Sequence, residues 1–271
     1  MYSKYQLAKK FIHYYLYASN SRGHGVHSPF VFDFIIHVLN DPKVYPEYNK
    51  VEALRKQLQQ DGSVLHIHDL GAGSLLGSTQ KTVSSIARQV VKSKRFAQLL
   101  FRIVRYYQPQ TMIEMGTSLG ITSAYLALAN PHGPLTTLEG SEAVAGVARK
   151  NFLALSLPNV QLVTGDFDNT LPGVLKRMHT VDLTFVDGNH TKEPTLRYFK
   201  SLLDKVNPSS IIIFDDIHWS SGMEEAWEEI KADPRVKLSI DLFFIGIVLF
   251  REEFKIKQHF VIRYPPDLLP V

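Results

Sequence analysis

Acidic side chains follow five successive apolar runs of the chain from residue 112 onward. They are Glu114, Glu139, Asp166, Asp187 and the pair Asp215-Asp216. One acid after a strand is usually a helix cap or a solvated charge, but five at matching places predict a shared role. Ligands of open α/β sheets bind beyond the carboxyl ends of the strands. We therefore expect these carboxylates to line one cleft, where they can accept hydrogen bonds or hold a hard cation.

The pattern around these acids alternates short apolar runs with amphipathic stretches, which predicts a parallel sheet covered by helices. We expect strands near residues 112–115, 135–139, 160–164, 181–186, 211–214, 236–241 and 246–250. The last two runs are joined too tightly for a crossover helix and should pair antiparallel. The prediction is a Rossmann-like, doubly wound α/β fold with a seven-stranded sheet, an antiparallel last strand and an N-terminal helical cap.

The segment 111–122 predicts a strand, a glycine turn and the start of a helix. Such a turn leaves backbone N–H groups free at a helix N-terminus, where a polar cofactor can approach closely. Gly116 and Gly120 matter because a Cβ at either place would hold the ligand away from the backbone. Thr117 and Ser118 lie between them.

Glu139 lies 23 residues after Gly116, near the offset at which a carboxylate binds the hydroxyls of a ribose. Ser141 already provides a cap for the next helix, so capping does not explain Glu139. Gly140 joins the two residues. Asp166 and Phe167 follow the next strand, and we interpret them as an adenine contact through the exocyclic amine and ring stacking.

The series Glu114-Met115-Gly116-Thr117-Ser118-Leu119-Gly120, Glu139, Gly165-Asp166-Phe167, Asp187 and Asp215-Asp216 resembles a class I S-adenosylmethionine-dependent methyltransferase. More narrowly, it resembles the metal-dependent O-methyltransferases that act on catechols and sugars. The resemblance covers about residues 94–251. Pro208-Ser209-Ser210 departs from the usual Pro-Gly-Gly of that group, and the first motif lacks the Gly-x-Gly-x-Gly of many methyltransferases.

The resemblance implies S-adenosylmethionine as cofactor and Mg²⁺ as a metal that assists O-methylation of a small hydroxylated acceptor. The implied cofactor contacts are Glu114, Gly116, Thr117, Ser118, Gly120, Glu139, Gly140, Ser141, Asp166, Phe167 and Asp187. Asp187, Asp215 and Asp216 are the expected metal ligands. An N-cap role for the following helix explains one acid of the Asp215-Asp216 pair, but it explains two less easily. His218 is the first candidate for the general base and His190 the second, with Asp187 beside them.

Residues 1–93 lie outside the resemblance and are expected to form a helical cap, followed by the 94–251 methyltransferase domain and a 252–271 tail. The cap is rich in aromatic residues and also contains His24 and His27. The aromatic residues are Tyr14, Tyr15, Tyr17, Phe30, Phe32 and Phe34. These side chains either line the acceptor pocket or pack against the sheet or a partner subunit, so a homodimer stays open as an interpretation.

A second glycine turn, Asp69-Leu70-Gly71-Ala72-Gly73, also follows an apolar run. No strand that ends in an acid comes about 20 residues later, as a ribose site would require. We therefore interpret it as a structural turn. His66 and His68 share one face of the preceding run, but two histidines alone make an incomplete metal site.

Composition narrows the function classes further. The chain has no cysteine, so disulfides, thiolate nucleophiles and zinc–thiolate sites are excluded. It has neither a signal-peptide pattern at its start nor an apolar run long enough to span a membrane, so we expect a cytoplasmic protein without a membrane partner.

Residues 70–113 contain no acid and seven Lys or Arg. This allows, as an alternative, an RNA or other nucleic-acid methyltransferase that uses the basic 81–105 region, although solvated helix faces explain the charges better. A non-catalytic interaction module with this fold is the third interpretation.

Overall fold

A computed structural model of the chain describes residues 1–19, 27–68, 78–89 and 93–264. Within these residues the chain forms two compact units. The first unit contains residues 1–41 and 177–264, and the second contains residues 42–176. The domain boundaries that we expect at residues 93/94 and 251/252 stay predictions.

The elements are as follows in chain order. The helices are α1 (Lys4–Tyr17), α2 (Pro29–Phe34), α3 (Pro46–Leu58), α4 (Val83–Gln89), α5 (Lys94–Tyr107), α6 (Ile121–Ala129), α7 (Glu142–Ala154), α8 (Phe167–Lys176), α9 (Lys192–Leu203) and α10 (Ser221–Ala232). A π-helical turn, Ile35–Leu39, continues α2. The strands are β1 (Val64–His68), β2 (Ser78–Thr82), β3 (Met112–Met115), β4 (Leu135–Glu139), β5 (Val160–Thr164), β6 (Leu183–Val186), β7 (Ile211–Asp215), β8 (Leu238–Asp241), β9 (Ile245–Leu249) and β10 (Gln258–Val261).

Besides β1 and β2, the second unit contains three strands and the first unit contains five. The second unit contributes strands in the order β3-β4-β5, and both pairs are parallel. The first unit contributes strands in the order β10-β8-β9-β7-β6. In that unit β9 is antiparallel to both β7 and β8, as expected for the last two predicted strands.

The predicted fold class is confirmed, and the seven predicted strands are found within a few residues of their expected bounds. The first unit has one strand more than predicted, because β10 pairs parallel with β8 at the edge. This strand is short, and none of its residues is fully buried, so it lacks the apolar run that reveals the other strands. A separate antiparallel ribbon of β1 and β2 was also not predicted as such.

Burial explains why these elements form. All four residues of β3 are buried, which fits the continuous apolar composition of a strand covered on both faces. Helix α5 buries one face that includes Phe96, Leu99, Leu100 and Ile103. It ends at Gln108, whose φ of 48° is a left-handed C-terminal conformation.

Helix α1 packs against the C-terminal part of the first unit. Phe11 and Tyr14 are buried and lie against the ring of Phe243, with centroid distances of 5.1 Å and 5.2 Å. The Tyr14 hydroxyl donates to the carbonyl of Ile262 and accepts from the N–H of Tyr264 at 3.0 Å. Burial of this hydroxyl raises the pKa of Tyr14 above its usual value.

The other aromatic residues of the N-terminal segment differ in exposure. Phe34 is buried, Tyr17 and Phe32 are exposed, and Phe30 contacts the ring of Phe254. Packing therefore accounts for part of this set, while the acceptor-pocket role stays a prediction. His24 and the turn Asp69 to Gly73 lie outside the described residues. In the described part of the chain, no helix is both long and apolar enough to cross a membrane.

We expect replacement of Gly246 by Ala to destabilise the fold. A Cβ at Gly246, on β9, would lie 2.6–2.9 Å from three ring atoms of the buried Trp227. Overpacking of this kind costs about 1–3 kcal/mol. Urea denaturation of Gly246→Ala should show a matching fall in unfolding free energy.

Gly173→Ala is the matched control for this prediction, because no atom lies within 4 Å of a Cβ at that position in α8. Alanine there should leave stability unchanged or slightly raised. Equal stabilities for the two variants would contradict the packing argument.

Candidate active site

The turn after β3 has the geometry of a close backbone approach. Gly116 has a φ of 103° and Gly120 a φ of 81°, both in the left-handed region that favours glycine. The N–H groups of Gly116 and Thr117 both donate to the carbonyl of Leu138, at 2.9 Å and 3.1 Å. A Cβ at Gly120 would come within 2.6 Å of the Phe152 ring. The turn is therefore fixed against β4 by its backbone, and both glycines are required by its shape.

Glu139 lies at the end of β4 and faces this turn. Its Oε2 accepts from the N–H of Ser118 at 2.9 Å, and its Oε1 accepts from the N–H of Ser141 at 2.9 Å. A carboxylate has about four acceptor sites. These two bonds fix the orientation of Glu139 beside the turn.

Glu114 lies inside the second unit and is fully buried on β3. Its Oε2 accepts from the hydroxyls of Ser123 and Thr137, the latter at 2.6 Å. Burial raises the pKa of Glu114 to about 7, although the two hydroxyl bonds act in the opposite direction. The negative charge of Glu139 adds to the increase.

Asp166 immediately precedes α8 and caps the N-terminus of that helix. Its Oδ1 accepts from the N–H of Asp168 at 2.8 Å, and its carbonyl accepts from the N–H groups of Asn169 and Thr170. Phe167 is the first residue of the helix. Ser141 caps α7 by accepting from the N–H of Val144, as predicted. The capping role of Asp166 and its predicted adenine contact are compatible, because the two use different lone pairs.

Three metal-binding side chains meet in the first unit. One ligand atom from each of Asp187, His190 and Asp215 lies within 4.8 Å of the others. Asp215 is buried, and the other two are partly exposed. His190 Nε2 lies 3.5 Å from Asp187 Oδ1, and His190 Nδ1 lies 3.8 Å from Asp216 Oδ2. The structure thus brings Asp187 and Asp215 together as predicted, with His190 in the group and Asp216 beside its ring.

The backbone around this group is strained at three residues other than glycine. Asn189, His190 and Asp216 have φ values of 64°, 37° and 54°. Left-handed conformations of this kind are uncommon outside glycine, and they cluster at functional sites. The strain marks the loops after β6 and β7 as parts of a site.

His218 lies between two other carboxylates. Its Nδ1 is 3.0 Å from Glu224 Oε1, and its Nε2 is 2.8 Å from Asp241 Oδ2. Burial lowers the pKa of His218, but the contacts with Asp241 and Glu224 outweigh it and raise the pKa above the ordinary value. Glu224 also accepts from the Tyr2 hydroxyl and from Lys10, so this network joins α1 to the loop after β7. Both ring nitrogens are engaged, and the role of His218 as a general base stays a prediction.

Sequence reasoning missed the partners of these residues. Ser123 and Thr137, which contact Glu114, lie at ordinary helix and strand positions, and only the strand register places them there. Glu224 and Asp241 lie 6 and 23 residues from His218. A helical period would have suggested neither contact, because both depend on how separate elements pack.

A family model described as a methyltransferase domain matches residues 113–217. A probable O-methyltransferase of Mycobacterium tuberculosis is 30% identical over 128 residues, which are 44% of this chain and 54% of that protein. A tRNA (guanine-N(7)-)-methyltransferase of Mycoplasma mobile is 31% identical over 77 residues, which are 28% of this chain and 38% of that one. This chain therefore aligns with about half or less of the length of these curated relatives.

Solved structures share the fold at low sequence identity. An O-methyltransferase from Bacillus cereus, in complex with SAH, gives a TM-score of 0.56 at 21% identity, covering 81% of this chain and 97% of that one. TomG from Streptomyces achromogenes, an O-methyltransferase of tomaymycin synthesis in complex with SAM, gives 0.55 at 18% identity, covering 82% and 95%.

Residues 113–217 are similar to a methyltransferase domain, and the chain has the Rossmann-like fold of the O-methyltransferase structures compared above. The match to residues 113–217 and the fold shared with these structures agree with the resemblance seen in the sequence. The cofactor residues belong to the second unit and the acidic group to the first. The expectation that the two sets line one cleft stays a prediction.

We expect the stability of the protein to fall between pH 4.5 and pH 7 through Glu114. Its pKa is raised from 4.5 to about 7, so the folded state binds more protons than the unfolded state in that window. Stability falls with rising pH wherever the folded state binds more protons. Glu114→Gln cannot ionise and should gain on the order of 2 kcal/mol relative to the wild type from pH 5 to pH 8.

Urea denaturation at the two pH values measures this difference. Glu142→Gln is the control, because Glu142 is an exposed carboxylate at the start of α7 whose pKa is lowered by Arg149, so it cannot cause a loss of stability with rising pH. A constant difference between Glu114→Gln and the wild type at both pH values would contradict a buried carboxyl with a raised pKa.

Proposed function

We propose that this protein is an S-adenosylmethionine-dependent O-methyltransferase that uses Mg²⁺ to methylate a small hydroxylated acceptor of the catechol or sugar type. The observation that carries the proposal is the group of Asp187, His190 and Asp215 in a chain with a methyltransferase domain. A cytoplasmic location is part of the proposal.

The cofactor residues of the second unit have defined tasks in this proposal. The turn from Gly116 to Gly120 lets the cofactor approach the backbone, and Glu139 accepts the two ribose hydroxyls beside its bonds to Ser118 and Ser141. Asp166 and Phe167 bind the adenine. Glu114 lies behind the turn and contributes its charge. Thr117 and Gly140 contribute backbone groups at the same edge of the sheet.

Deprotonation of the acceptor is the chemical demand on the site. Removing a proton from a phenol of pKa about 10 costs roughly 4 kcal/mol at pH 7. An aliphatic hydroxyl with a pKa near that of water, about 15.7, costs roughly 12 kcal/mol. A general base alone is better able to deprotonate a phenol than an aliphatic hydroxyl. Methylation of a sugar-type acceptor therefore depends more on a cation.

The side chains of the acidic group fit Mg²⁺. Asp187 and Asp215 provide hard oxygen ligands, and water can complete an octahedron. Asp215 is the buried member of the group, and Asp187 and His190 are partly exposed. When bound, Mg²⁺ would stabilise the developing negative charge on the acceptor oxygen while S-adenosylmethionine supplies the electrophilic methyl group. Asp216 is the third ligand in the proposal, as the resemblance implies.

His190 is the general base in this proposal, and His218 is the second candidate. Mg²⁺ prefers oxygen over nitrogen ligands, so His190 in the same group is left to take the acceptor proton. Asp187 and Asp216 lie beside its two ring nitrogens and orient the ring. The carboxylates of Glu224 and Asp241 lie 3.0 Å and 2.8 Å from the ring nitrogens of His218, closer than the 3.5 Å and 3.8 Å found at His190, so His218 fits a positioning role better.

A nucleic-acid acceptor is the second candidate, because one relative is a tRNA methyltransferase. Burial within the basic 81–105 region weakens this candidate. Arg102 is buried, whereas Arg88 is exposed and donates to the carbonyl of Gln59. Arg102 therefore contributes little to an exposed RNA-binding face. Tight, salt-sensitive RNA binding would nonetheless favour this candidate.

We expect S-adenosylmethionine to bind the wild-type protein and Glu139→Gln to bind it at least tenfold more weakly. The loss follows because hydrogen bonds to a charged group contribute about 1.5–3 kcal/mol. Calorimetric titration measures the two affinities, and Glu142→Gln serves as the control. Absence of binding by the wild type would favour a non-catalytic interaction module.

We expect Asp215→Asn to weaken Mg²⁺ binding at least tenfold and His190→Ala to leave it unchanged. His190→Ala should lower the turnover rate by about 10²- to 10⁴-fold, because general bases contribute that much. Titration with MgCl₂ measures the first effect. Transfer of labelled methyl groups to a panel of catechols and sugars measures the second.

Asp204→Asn and His132→Ala are the matched controls, since both side chains are exposed and outside the acidic group. Loss of metal affinity in His190→Ala would instead make His190 a ligand and would favour a transition metal over Mg²⁺. Full turnover in His190→Ala would remove it as the base.

A further inference from the structure

Glu114 is the one side chain of the candidate cofactor turn that is both ionisable and fully buried among the described residues. We propose that Glu114 is a specificity-determining residue that favours the cationic cofactor S-adenosylmethionine over its neutral-sulfur product, S-adenosylhomocysteine, by losing a proton when the sulfonium binds. This inference rests on the proposed function.

The two carboxyl oxygens of Glu114 differ in the number of hydrogen bonds that they accept. Thr137 donates to Oε2, and the Thr137 and Thr117 hydroxyls are 2.6 Å apart. A hydroxyl has one proton, so Thr117 must donate to Thr137. Ser123 also donates to Oε2. A chain of hydroxyls therefore runs from Thr117 in the turn through Thr137 to Oε2 of Glu114. The hydroxyls of Thr137 and Ser123 both donate to that oxygen.

The second oxygen has no such support. Glu114 Oε1 is buried and has no hydrogen-bond partner in the described part of the chain. With Oε2 accepting two donors, a proton on Glu114 must lie on Oε1. The protonated form then has an unsatisfied buried donor, and the ionised form has a buried charge without a counter-ion. Each form carries one penalty, so a nearby charge can change which form is favoured.

The charges around Glu114 give the direction of that change. Glu139, on β4, is the charged group that acts on Glu114 in the described structure, and its negative charge disfavours ionisation. Ser123 on α6 and Thr137 on β4 are neutral. A sulfonium in the turn adds a positive charge in a region of low dielectric, where it favours the carboxylate. The thioether of S-adenosylhomocysteine adds no charge.

Linkage then makes cofactor affinity depend on pH. The pKa of Glu114 is about 7 in the free protein, so the side chain is about half protonated at pH 7. If the cation lowers the pKa well below 7, binding releases about half a proton at pH 7. Affinity for S-adenosylmethionine should rise roughly tenfold from pH 6 to pH 8, because the competing proton is lost. Affinity for S-adenosylhomocysteine should change less.

Calorimetry tests the proposal. S-adenosylmethionine and S-adenosylhomocysteine are titrated at pH 7 into the wild type, Glu114→Gln and Glu142→Gln, each in phosphate and in Tris, whose ionisation enthalpies differ. The difference in observed binding enthalpy between the two buffers, divided by the difference in their ionisation enthalpies, gives the number of protons released on binding. The amino group of the cofactor titrates in the same range. Comparison with Glu114→Gln isolates the contribution of Glu114.

The expected result is proton release by about half a proton for S-adenosylmethionine in the wild type and in Glu142→Gln, and its loss in Glu114→Gln. Glu114→Gln should also lower the preference for S-adenosylmethionine over S-adenosylhomocysteine at least threefold at pH 8. Equal proton counts and equal preference in the wild type and Glu114→Gln would overturn the inference while the proposed function stands. Failure of both ligands to bind the wild type would overturn the proposed function and the inference with it.

The wild type provides a second measurement that does not depend on the folding of Glu114→Gln. At pH 7 it should release more protons with S-adenosylmethionine than with S-adenosylhomocysteine. Equal release with the two ligands would overturn the inference.

Discussion

The parallel register of neighbouring strands is the constraint on which the candidate site depends. In the second unit, Glu114 lies opposite Thr137, and Glu139 lies opposite Thr164. Glu114, on β3, therefore lies level with a residue two positions before the end of β4, and Glu139 is the last residue of β4. The first carboxylate loses all contact with water, and the second remains partly exposed beside the turn. Two acids that look equivalent in the sequence acquire different chemistry from a difference of a few ångströms along the sheet.

The same constraint operates in the first unit through different residues. The parallel register pairs Val186 with Phe214, so that Asp187 and Asp215 occupy neighbouring strand ends. Strand β9 continues the sheet in the antiparallel direction and meets Asp215 through Ile245. The left-handed turns at His190 and Asp216 then bring an imidazole and a further carboxylate beside that pair. The sheet fixes the acids, and strained loops adjust what surrounds them.

The strands, most helices and the acidic strand ends could be predicted because each depends on local composition. Continuous apolar runs identify β3, β6 and β7, and Ser141 and Ser220 identify two helix starts. Strand β10 could not be predicted, because an edge strand needs no apolar face. The close approach of His190 to Asp187 and Asp215 could not be predicted either, since it depends on backbone angles that residues other than glycine rarely adopt.

The two histidines show how far residue type alone can mislead about chemistry. His190 and His218 both lie three residues after an acidic strand end, Asp187 and Asp215, so spacing treats them alike. Packing separates them, because Asp241 at the end of β8 and Glu224 on α10 approach both nitrogens of His218 from separate elements. A histidine between two carboxylates is more stable with its proton than without it, and a general base must give that proton up after each turnover. The closer carboxylate contacts of His218 therefore favour His190 as the base, and the same contacts connect His218 to the N-terminal segment through Glu224, Tyr2 and Lys10.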